Sequence, residues 1–176
     1  MSDAGTSDAA RLRPEGLKLR ARDSGDLDVI AALLQDALVP LSDATFLKSE
    51  KRFVLVANRF KWPEAEGKPD PAPEASEEEG ADAAFEDAAE APPFARVNCG
   101  VCFEHVVRVR SKNIDLADRR QILNLLTIVA APGSVTLLFS DDGAIRLEVS
   151  ALSCHIEDLG DAWPTRWRPH HDDGPD

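Results

Sequence analysis

Cys99-Gly100-Val101-Cys102 sets two thiols three residues apart, His105 follows after three more, and Cys154-His155 adds a second soft pair. Three thiolates and an imidazole could hold a tetrahedral zinc, and two thiols at this spacing could exchange with a disulfide. Each chemistry asks for a particular backbone. A metal knuckle needs both thiols turned to one side, and a redox pair wants its first thiol at a helix N-terminus, where the dipole lowers its pKa. The flanking residues instead alternate as one long strand from Val97 to Arg110, which sends Cys99 and Cys102 to opposite faces. Small buried thiols are therefore the expected reading, with Cys99, Cys102, Cys154 and His155 kept as the alternative metal or redox set. His105 falls in phase with Val101, Phe103, Val107 and Val109 and is expected in the core.

Other candidate chemistry is thinner. His170-His171-Asp172-Asp173 could hold a metal weakly, but from a terminal tail. Glu104 and Glu148 could face one another as paired carboxylates on an exposed sheet surface. No G-x-S-x-G, phosphate loop, G-x-G-x-x-G or H-E-x-x-H pattern occurs. The reading leans away from an enzyme, and no cofactor is called for.

The basic residues form a pattern of their own. Lys18, Arg20 and Arg22 share the polar side of a first strand, Arg108 and Arg110 that of the long strand, and Arg146 lies on another. If those strands are neighbours, the outer face is a basic stripe suited to a protein partner or an anionic ligand. Nucleic acid is poorly served, because Trp62, Trp163 and Trp167 sit near the edges and the chain has no Tyr.

Overall charge says little about that face. Between Pro63 and Phe94, eleven carboxylates stand against Lys68 alone, a net −10 of the chain's −12. The remaining residues are close to neutral. That segment has only Phe85 as a large apolar side chain before Phe94, too little to offset ~1–2 kcal/mol of backbone entropy per residue. It is expected to be a disordered insert. Residues 1–15 and 161–176 are expected to be flexible tails around a single domain, 16–160. The chain has no run of about 20 apolar residues to span a membrane, no hydrophobic leader after Met1, and an odd number of cysteines. A cytoplasmic protein with no membrane partner is the expectation.

The elements that position these residues follow from periodicity. Leu17, Leu19 and Ala21 alternate as a half-buried strand. Leu27, Ile30, Leu34, Leu38 and Leu41 recur at helical spacing behind Asp23 and Ser24, with Pro40 ending the helix. Phe53–Phe60 reads as a strand pairing back on Phe46-Leu47, and forms a hairpin with the strand beyond the insert. Leu116, Ile122, Leu123 and Leu126 suggest a second, short helix. Pro132-Gly133 and Asp141-Asp142-Gly143 are hairpin turns, Gly143 being placed to take a positive φ. Ile145, Leu147 and Val149 point inward, and the apolar phase then shifts to Leu152, Cys154 and Ile156. Such a shift requires a bulge or corner near Ser150-Ala151. The fold class is α+β: a mainly antiparallel, curled sheet with one main helix and a second short one.

Four stretches together, LKLRARDSGDLDVIAALLQDAL, RFVLVANRFKW, FEHVVRVRSKNID and GAIRLEVSALSCHIEDLG, resemble an uncharacterised family of small bacterial proteins known only as a domain of unknown function. The resemblance spans Gly16 to Gly160. It implies a cytoplasmic stand-alone domain with a variable loop at the acidic segment, and no assigned activity, cofactor or functional residue.

Overall fold

The main helix forms and stops early. In the computed structural model, which describes residues 16–61 and 94–165, α1 runs from Ser24 to Leu34. Asp23 caps it, accepting from the Asp26 N–H at 2.9 Å. Leu27, Ile30, Ala31 and Leu34 form its buried face. Asp36 then adopts a left-handed φ of 61°, a conformation Asp tolerates better than most residues and a helix cannot continue. Ala37–Pro40 becomes strand β2, held by backbone pairing to Ile122–Leu125. Leu38, expected on the helix, is therefore an exposed strand residue.

The rest is one ten-stranded antiparallel sheet. Besides β2 its strands are β1 (Lys18–Ala21), β3 (Ala44–Leu47), β4 (Arg52–Lys61), β5 (Phe94–Phe103), β6 (Val106–Lys112), β7 (Ile122–Ala131), β8 (Ser134–Phe139), β9 (Ala144–Val149) and β10 (Cys154–Thr165). Their order is β1-β10-β5-β4-β2-β7-β8-β9-β6, with β3 beside β4. β1 and β6 end that order, so the sheet does not close. One face and α1 enclose the core, which includes Leu34, Leu55, Val101, Phe103, Leu125 and Leu147.

The expected hairpin of β4 and β5 is present, in register from Phe53↔Phe103 to Lys61↔Ala95. Pro132-Gly133 turns β7 into β8 with Gly133 at φ 73°. The phase shift after Val149 is a corner, residues 150–153, that carries the chain from β9 to β10.

Four expectations are corrected. The segment expected to hold a second short helix is a run of turns followed by β7, because Ile122–Ala131 pairs with both β2 and β8. The long alternation through Arg110 is two strands, broken where His105 takes a φ of 58°; His105 is exposed there, not in the core. No Gly or Pro marks that break, so the alternation reads straight through it. In the β8–β9 turn the positive φ values belong to Asp141 and Asp142. Gly143 instead admits Ile114, whose Cγ1 would lie 3.2 Å from an added Cβ. Finally, β10 continues through Asp161–Thr165, beyond the expected end of the domain. The rest of that tail, residues 1–15 and the acidic segment apart from Phe94 lie outside the described residues.

Candidate functional site

Strand register assembles a site on the outer face of β1, β10, β5 and β4. One row across the four strands reads Lys18, Glu157, Gly100, Val56; the next reads Arg20, His155, Cys102, Val54. Leu159, two residues on from Glu157, closes one end, and Asp43 in the 3-10 turn Leu41–Asp43 lies beyond β4. These residues line a groove of about 560 Å³ with an apolar floor and a charged rim.

Gly100 makes the floor low. It sits inside β5 outside the left-handed region, and an added Cβ would meet Leu159 Cδ1 at 3.5 Å, ordinary van der Waals contact. Neither backbone conformation nor crowding requires glycine at this position. A strand pays about 0.5–1 kcal/mol for glycine in its interior relative to alanine; here the missing side chain leaves a low floor beside Leu159, which lies within van der Waals contact of the position a Cβ would take.

The other end of the groove is organised by Glu104. Its carboxylate accepts from the Ser153 hydroxyl at 2.9 Å and from Arg20 at 3.3 Å. Arg52 lies at 3.7 Å and His155 Nε2 at 3.5 Å. The Ser153 hydrogen bond, followed by His155, Arg20 and Arg52, holds the Glu104 carboxyl below the usual range against the opposing effect of burial. Lys18 stands 3.6 Å from Glu157.

The structure splits both expected sets. Lys18 and Arg20 belong to the groove, while Arg22 lies just past β1, its N–H bonded to Asp26. Arg108 and Arg110 on β6 and Arg146 on β9 share a face at the opposite end of the strand order. Of the alternative set, Cys102 and His155 are register partners on the outer face, whereas Cys99 and Cys154 are buried inside. Among the described residues no cluster of three or more His, Cys, Asp or Glu side chains could hold a metal. Burial pushes the Cys99 and Cys154 thiols up to about 12, and raises Cys102 as well. Glu104 and Glu148 do not form a pair: Glu148 is bound by Arg110 at 3.1 Å.

The structure also holds a buried ion pair that was not among the expected site residues. Arg59 donates to both Asp158 oxygens, at 2.9 and 2.8 Å, and Leu17 N–H donates to the same carboxylate at 3.0 Å. Both side chains are less than a tenth exposed. Their signal was phase, since Arg59 follows Phe53, Leu55 and Ala57 inward and Asp158 follows Cys154 and Ile156. The pair locks β1, β10 and β4 together beneath the groove.

A family described as a protein of unknown function, DUF2948, matches residues 17–171. The chain belongs to this family. The residues matched to DUF2948 take in the groove, the Arg59–Asp158 pair and both basic clusters. No curated protein and no solved structure matches the chain. Among the described residues no helix is long and apolar enough to cross a membrane.

Proposed function

We propose that the domain is a non-catalytic binding module, and that its ligand lies in the groove over Gly100. What supports the reading is the combination of an omitted side chain in mid-strand with a rim already fixed by ion pairs. A ligand with an apolar body would cover Val54, Val56 and Leu159, and its polar groups would meet Lys18, Arg20 and Glu157. The raised thiols favour binding over nucleophilic chemistry, and three unpaired cysteines suit a reducing cytoplasm.

The test is a titration with anilinonaphthalene sulfonate, an aromatic ring system bearing one anionic group, followed by amide chemical shifts. Saturable shifts centred on Gly100, Cys102 and His155 are expected. Shifts centred elsewhere, or none, would overturn the reading.

A further inference from the structure

We propose a second docking surface, independent of the groove: the open edge of β6, which would take an acidic extended segment of a partner protein as one further strand. β6 ends the strand order, and among the described residues only Val106 is engaged on its far side, donating to Lys51 O at 2.8 Å. The register shifts between Val106 and Arg108, and from Arg108 to Lys112 the edge presents unpaired ladder groups, a template for strand addition.

Charge selects the partner. Arg110 stands directly opposite Arg146, and Arg108 opposite Glu148. Arg110 takes Glu148 and Lys112 takes Asp142. Among the described residues no carboxylate lies within ion-pair distance of Arg108 or Arg146, and two like charges directly across a ladder disfavour each other. A second copy pairing antiparallel through β6 would set Arg108, Arg110 and Lys112 against their own kind. The charges that guard this edge against self-association therefore admit an acidic strand. A peptide fits better than nucleic acid, because it supplies the backbone groups the edge lacks. The outward positions of β6, β9 and β8 also offer no aromatic ring for base stacking.

The experiment uses the full chain at low salt and a synthetic peptide of the length of β6 that alternates Glu and Thr. Amide shifts and slowed hydrogen exchange confined to β6 and β9 are expected, with Arg108→Glu and Arg146→Glu each weakening binding about tenfold. Lys18→Glu, at the other end of the sheet, should leave affinity unchanged. Three further results would each overturn the proposal. One is equal binding by a peptide N-methylated at alternate amides, which keeps the charges and loses the ladder. Another is equal binding by a thymidine oligonucleotide of the same charge. The third is no binding at all.

Discussion

At the β1 end of the sheet, Lys18 and Arg20 stand beside Glu157 and Glu104 over a floor from which a side chain is missing. At the β6 end, Arg108, Arg110 and Arg146 crowd a face that, among the described residues, they share with Glu148. The residue types are nearly the same, and their settings differ. The first group is braced from below by the buried Arg59–Asp158 pair and frames a concavity; the second lies at an exposed end of the sheet. A basic residue on a strand thus has no meaning until its cross-strand neighbours are known.

Removing the brace should produce the largest effect. Asp158→Ala leaves the Arg59 guanidinium buried without its carboxylate, and should cost about 3–5 kcal/mol in urea unfolding. At the other end, Arg110→Ala should cost no more than ~1 kcal/mol, since its pair with Glu148 is exposed to solvent. Equal losses at the two sites would mean that the ends are held alike.

The shared core should not distinguish the two ends. Leu34 and Leu147 are both fully buried, and either one replaced by Ala should lower stability by roughly 2–5 kcal/mol. A negligible change at one of them would place its side chain outside the core.

Acid should act on the β1 end through Glu104. Its folded pKa is depressed, so its contribution is complete above the unfolded value, near ~4.3, and is lost as pH falls through the folded one. The melting-temperature gap between the native chain and Glu104→Gln should therefore narrow as pH drops from about 7 to about 3. A gap independent of pH would show that the ion pairs around Glu104 carry no stability. The smallest effect concerns the thiols. With a disulfide reagent at neutral pH only Cys102 should react, and slowly, while Cys99 and Cys154 wait for unfolding. Rapid reaction of all three would contradict their placement.

What the sequence made legible was local. Alternation placed Lys18 with Arg20 and Arg108 with Arg110, and separated Cys99 from Cys102, because side chains on a strand alternate by geometry alone. Helical spacing found Leu27, Ile30 and Leu34 but ran on to Leu38 and Leu41, where pairing with β7 overrides it. Alternation likewise ran through His105, since His is only modestly favoured at a left-handed position and no Gly or Pro stands beside it. Strand order was not legible. It is decided by which apolar faces meet around α1, so neither the separation of the two basic clusters nor the meeting of Arg20, His155 and Cys102 could be read from spacing. Gly100 was visible as a glycine inside a strand, but its role depends on Leu159 and Val56, which only the register brings beside it.

Gly100→Val tests the central claim most directly, with unfolding and anilinonaphthalene sulfonate binding measured on the same variant. If the glycine is kept for the space it leaves, the variant should be as stable as the native chain or more so by about 0.5–1 kcal/mol, and binding in the groove should be lost. A destabilised variant, or one that binds the probe unchanged, would contradict the account.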